Sequence, residues 1–202
     1  MHTVTLEDLY NVGLHYGHKK AHSTPMTKPY VYVVRDGISI INLEATLSHL
    51  KAALEFLKQA AAEGKIILFV GTKKQAQPIV TAVAKAVGMP YVTNRWLGGM
   101  LTNFTTIRKS LDHLNALEEL ITKPQFAATK KREQKRITDE IAKLHRAFDG
   151  IKDMTKLPDM LFIVDAKHET TAVGEANRLG TTTIGTVDSN GDPTKLDLFI
   201  PA

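Results

Sequence analysis

Cysteine is absent from all 202 residues, so no disulfide and no thiolate metal site can form, and a metal would have to be held by histidines and carboxylates. Long apolar runs are missing as well. Nothing approaches the roughly 18 apolar residues needed to cross a bilayer, and the opening MHTVTLEDLY lacks the basic and apolar regions of a signal peptide. Nucleotide fingerprints are absent: there is no G-x-G-x-x-G, and no G-K-[ST] to supply the lysine and hydroxyl of a phosphate loop. No serine or cysteine sits on a recognisable nucleophile elbow. The chain reads as cytoplasmic, with no membrane association.

Charge of one sign is scarce in one part of the chain. Residues 153 to 202 carry only four basic side chains (Lys156, Lys167, Arg178, Lys195) against eight acids, so this end is −4 and the first 152 residues hold +9 of a chain that totals +5. A polyanionic partner is therefore sought in the first three quarters of the chain.

Short apolar runs alternate with helical patterns. IILFV (66 to 70), MPYV (89 to 92), MLFIV (160 to 164), TTIGTV (182 to 187) and LFI (198 to 200) read as buried strands bounded by Gly, Asp or Pro. Between them, Leu43 to Glu63, with Asn42 as N-cap and Gly64 beyond its end, predicts a helix, as do Lys73 to Val87 and Glu169 to Leu179. Strands alternating with helices predict a three-layer α/β domain around a parallel sheet.

One interval breaks the rhythm. From Tyr91 to Met160 no strand pattern appears, and apolar residues fall at Ile107, Leu111, Leu114, Leu117 and Ile121, then at Ile137, Ile141, Leu144, Phe148 and Ile151. The second series follows a heptad seam, and Pro124 separates the two. An antiparallel coiled-coil hairpin over 103–149 is expected, inserted between the two parts of an α/β domain, 1–102 and 150–202. Its seam is narrow, so it is expected to lean on a partner.

Three basic sites stand out. KKREQKR (130 to 136) sets five cations against one acid across nearly two helical turns, and like charges at such spacing invite an external anion such as phosphate. The amino-terminal segment 1–36 interleaves His18, Lys19, Lys20, His22, Lys28 and Arg35 with Tyr16, Tyr30 and Tyr32 in what reads as a loop, a composition suited to RNA. His15, His18 and His22 have a weak metal-like spacing with no acidic ligand beside them. In FVGTKKQA, a glycine turn leads from a strand into a helix start bearing Lys73 and Lys74, which could hold a phosphate.

NRWLGGMLTN (94 to 103) shows Arg95 and the single tryptophan, Trp96, just before two glycines. Gly98 and Gly99 would let the chain leave the sheet at a sharp angle, with Thr102 or Asn103 capping the hairpin's first helix. Trp96 is either a packing wedge or a base-stacking platform. The acids Asp165, Glu169, Asp188 and Asp192, with His168, cluster after two strands, where α/β domains bind ligands; this is the best case for the alternative, a nucleotide-dependent enzyme on a Rossmann-like domain.

In order along the chain, VGLHYGH, FVGTKKQA, NRWLGGMLTN, FDGIKDM and LPDMLFIVDAKHETTAVGEANRLG resemble the bacterial form of the ribosomal protein S-two family of the small subunit, over essentially the whole sequence. The chain departs from the family where W-N-P-K-M is common and STPMT stands here (Ser23 to Thr27), and where L-G-I-P is replaced by Leu179, Gly180, Thr181 and Thr182. The family usually continues beyond IPA into an acidic turn and a further helix, whereas this sequence stops at Ala202, so either a tail is missing here or the last strand goes uncovered on one side.

The resemblance implies a flavodoxin-like domain with a protruding coiled coil, no enzymatic activity, no bound metal or cofactor, no small-molecule substrate, and a place in the small ribosomal subunit. Its partners would be small-subunit ribosomal RNA and neighbouring proteins, including the large RNA-binding protein S-one. RNA contacts are then expected from His18, Lys19, Lys20, His22, Lys28, Arg35, Lys73, Lys74, Arg95, Trp96, Arg108, Lys109, Lys130, Lys131, Arg132, Lys135 and Arg136. Asp165, His168, Glu169, Asp188 and Asp192 are expected to face proteins.

Overall fold

A computed structural model describes residues 4–127 and 129–202. The first secondary structure is a short helix, α1 (Leu6–Asn11), started by a reciprocal cap in which Thr5 and Asp8 exchange hydrogen bonds. Segment 1–36, expected to be a loop, then builds most of an antiparallel sheet. Strands β1 (Tyr16–Lys19), β2 (Val31–Arg35) and β3 (Ile38–Ile41) lie in the order β1-β3-β2. The β2–β3 turn is Asp36-Gly37 with φ of 50° and 77°, the positive pair that a two-residue hairpin needs.

The main sheet comprises β4 (Ile67–Val70), β5 (Tyr91–Val92), β6 (Met160–Ile163), β7 (Thr182–Val187) and β8 (Leu198–Pro201). Its order is β5-β4-β6-β7-β8 and every pairing is parallel. Numbered within this sheet alone the order is 2-1-3-4-5, the flavodoxin-like arrangement. Alternation sorts its side chains. Ile67, Met160, Ile184 and Ile200 join Ala53 and Ala60 of α2 (Leu43–Ala62) on one face. On the other, Leu68, Val70, Leu161 and Ile163 pack with Ala172, Val173 and Ala176 of α7 (Thr170–Leu179).

Local signals explain the helix ends. Asn42 Oδ1 accepts from the amides of Glu44 and Ala45 to start α2, and Gly180 stops α7 in the left-handed conformation at φ 68°. The helix expected from Lys73 begins later, as α3 (Gln77–Ala86). Pro78 fits the first turn of a helix, so the helix starts there, and Lys73 and Lys74 lie in the preceding turn instead.

The hairpin is formed by α4 (Phe104–Thr122), a single turn α5 (Pro124–Ala127) and α6 (Lys131–Phe148). Its inner seam, Ile107, Leu111 and Phe148, belongs to the main core. Its outer seam closes on itself, with Leu114, Ile137 and Ile141 packed by Leu117, Phe126 and Leu144. At its root, Gly150 lies so close to Tyr91 that a Cβ there would collide with the Tyr91 carbonyl oxygen. Asn94 Nδ2 donates to the Arg146 carbonyl over 2.7 Å. The returning chain thereby covers the β5 edge of the sheet, which would otherwise be open for pairing.

Candidate nucleic-acid interface

The loop Asn94 to Asn103 is organised from outside itself. Glu175, on α7, is 9% exposed. One of its carboxylate oxygens accepts from the Trp96 indole at 3.0 Å and the Gly99 amide at 2.7 Å; the other accepts from the amides of Leu101 and Thr102 and from the Thr102 hydroxyl. Burial pushes the Glu175 carboxyl up, but the hydrogen bonds from Trp96 and the amides of Thr102, Gly99 and Leu101 outweigh it and hold its pKa below the ordinary carboxylate value. Gly99 takes a φ of 90°, whereas Gly98 has ordinary backbone angles and open space where a Cβ would stand. Asn103 occupies the N-cap position of α4 without its side chain capping any amide.

This geometry corrects the expectation for Trp96. The ring is 7% exposed and packed in the main core, so it cannot stack on a base; it is the wedge between hairpin and sheet. Arg95, its neighbour, is exposed and makes no ion pair among the described residues.

Ligands of α/β sheets sit where strand order reverses, here between the ends of β4 and β6. In this chain that place is filled by its own side chains. The buried Glu169 accepts from the Thr72 amide at 2.8 Å and from its hydroxyl at 2.6 Å, and Lys73 pairs with Asp165. Glu169 is only 3% exposed, so it does not face a partner as expected. The amide and lysine that could have held a phosphate are taken by internal carboxylates. Lys74 and His168 remain on the surface.

The loop after β7 is likewise spoken for. Asp188 pairs with His18 Nδ1 at 2.7 Å, so a residue expected to face RNA and one expected to face protein meet each other. Ser189 Oγ accepts from the His18 amide at 2.8 Å, and its carbonyl accepts from Thr27 Oγ1 at 2.7 Å. Thr24 Oγ1 donates to the Gly191 carbonyl. Gly17 passes so close that a Cβ would meet Ser189 Oγ at 2.8 Å. DSNGD is thus the dock of the amino-terminal module, and Asp192 caps a following turn, where the Thr194 hydroxyl holds its carboxyl below the usual range.

The arm carries charge that is paired within the chain and charge that is not. Glu118 accepts from Lys152 and His145, Arg108 pairs with Asp112 and donates to the Met154 carbonyl, and His113 meets Glu140. Arg108, expected to face RNA, is thereby engaged within the chain. By contrast, Lys130, Lys131, Arg132, Lys135 and Arg136 are all exposed, and none has an ion-pair partner among the described residues. The same holds for Lys109 on α4 and for Lys19, Lys20, His22 and Lys28 in the amino-terminal module, whereas Arg35 has only an exposed contact to Asp36 at 3.9 Å.

The profile of the family described as Ribosomal protein S2 matches residues 9–202. The chain belongs to this family. Similar relatives, each called small ribosomal subunit protein uS2, include that of Dictyoglomus thermophilum, 46% identical over 98% of this chain and 80% of the relative. Those of Coprothermobacter proteolyticus (44%; 100% of this chain, 75% of the relative) and Mycobacterium leprae (45%; 100% and 73%) match as fully.

Within this S2-family chain, the residues that sequence reasoning missed are those that hold surfaces in place. Glu175, Ser189, Thr27 and Gly150 carry no catalytic or basic signature. Their only sequence signal is that Glu175 lies on the apolar side of a helix, beside Ala172 and Ala176, where a carboxylate demands partners.

Proposed function

We propose that this chain is a structural, non-enzymatic constituent of the small ribosomal subunit that binds small-subunit ribosomal RNA. Membership of the S2 family supports the place. The observation that carries the mode of binding is the run of exposed cations Lys130, Lys131, Arg132, Lys135 and Arg136 at the start of α6, none of them ion-paired among the described residues. Arg95 and the free lysines of the amino-terminal module supply further phosphate contacts, while the rigid sheet fixes their spacing. Residues 103–149 act as an arm and the rest as its base. The acidic carboxyl-terminal part, from which His168 remains exposed, meets neighbouring proteins, among which the resemblance places the large protein S-one.

Occupation of the switch point by Glu169 and of Lys73 by Asp165 weighs against the nucleotide-dependent enzyme. The test is binding of the purified chain to small subunits lacking it, across a salt series, beside a variant with Lys130, Lys131, Arg132, Lys135 and Arg136 changed to alanine. Wild type is expected to lose affinity with a log-log slope of about −0.7 to −0.9 per phosphate contacted, and the variant to bind more weakly with a shallower slope. Equal slopes would remove the arm from the interface.

A further inference from the structure

The amino-terminal sheet leaves one edge open. β2 pairs only with β3, placing Val33 opposite Ile40, Val34 opposite Ser39 and Arg35 opposite Ile38. Its far side has no neighbouring strand among the described residues. The edge is apolar: Tyr32 is 76% exposed, Val33 47% and Val34 40%. An edge strand of this kind is a template for another strand unless it is covered or charged. Beside it runs an open groove lined by Leu6, Tyr10, Tyr32 and Leu43, with Glu7 and Glu44 also on its walls. His15 lines the same groove, stacked on Tyr10 at 4.7 Å, with its Nδ1 buried and without a hydrogen-bond partner among the described residues.

We propose that β2 receives an extended segment of a neighbouring protein as a fourth strand, with alternate side chains of that segment entering the groove. This deepens the ribosomal reading and rests on it. Valines offer nothing to a phosphate backbone, and Glu7 and Glu44 repel one, so the occupant is protein rather than RNA. Main-chain hydrogen bonds supply the affinity in strand addition, and side-chain pockets the selectivity. The charge pattern sets the partner's chemistry. Arg35 closes one end of β2, whereas Val31 pairs with Ile41 at the other end, next to the groove and Glu44. The segment therefore is β-branched at its centre, with a carboxylate near Arg35 and a cation near Glu44.

The experiment exploits the missing cysteines. Val33→Cys gives a unique attachment point for a photo-crosslinker in chains assembled into small subunits, and amide exchange of Tyr32 to Arg35 is followed in free and assembled wild type. The expected results are a crosslink to a protein and exchange slowed about tenfold or more on assembly. A Tyr32→Lys, Val33→Lys chain is expected to enter subunits and bind RNA while losing that protection. Crosslinks to RNA alone, or β2 amides that exchange as fast in the subunit as in the free chain, overturn the inference and leave the ribosomal reading standing. A chain that never enters the subunit overturns both.

Discussion

The indole of Trp96 donates to Glu175 at 3.0 Å across 79 positions of sequence, and the same carboxylate gathers the amides of Gly99, Leu101 and Thr102. One side chain thus fixes both the tryptophan and the turn from which the arm departs. Replacing Glu175 by alanine leaves these buried donors without an acceptor. The expected loss is about 3 kcal/mol, read by denaturant unfolding followed at the tryptophan. A change below about 1 kcal/mol would mean that water replaces the carboxylate.

Acid should erase that contribution. The folded pKa of Glu175 is held below its ordinary value, so the unfolded chain binds the proton more readily, and stability rises with pH between the two pKa values. The stability difference between wild type and Glu175→Gln is expected to be constant from pH 7 to about 5. It should shrink as pH falls below about 4.3 and through the folded pKa. A difference that stays constant down to pH 3 would refute the assignment.

Gly150→Ala tests the root of the arm. The new methyl would strike the Tyr91 carbonyl oxygen, a backbone atom of the sheet that cannot swing aside. A loss of about 1–3 kcal/mol is expected, with faster amide exchange at Tyr91 and Val92. Gly98→Ala, with open space at its Cβ, serves as the control and should be within about 0.5 kcal/mol of wild type.

Nucleotides should not stabilise the wild-type chain. Glu169 already occupies the Thr72 amide, and Asp165 engages Lys73. A thermal-shift series with ATP, GTP and inorganic phosphate, with and without magnesium, is expected to be flat. A ligand present at 100 times its Kd would add about 2.7 kcal/mol, which such a series would register.

The main sheet was legible because each strand is short, apolar on both faces and fenced by turn residues, and TTIGTV coincides with β7 residue for residue. The hairpin was legible from its seam and from Pro124. The amino-terminal sheet was not, since the eye follows its histidines and lysines, yet Asp36-Gly37 between VYVVR and ISII is a hairpin signal that stands in the sequence. For the candidate interface, charge found the free cations but could not say which were already paired. Lys73 and Asp165 lie 92 positions apart, and His18 and Asp188 lie 170 apart; only the fold brings them together. Glu169 and Glu175 share one helix region with a surface-like composition, and burial alone gives them their roles.

The dependence of early segments on late ones orders the birth of the molecule. As the chain is synthesised, helices α4 and α6 can coil about each other as soon as Phe148 has emerged, because their outer seam is local. The turn at Gly99 stays unanchored until Glu175 follows, and the amino-terminal module has no dock until Ser189 is made. A nascent chain halted before residue 175 would carry its cationic arm on a slack tether, and the fold stiffens backward from the segment that holds Glu175 and Ser189.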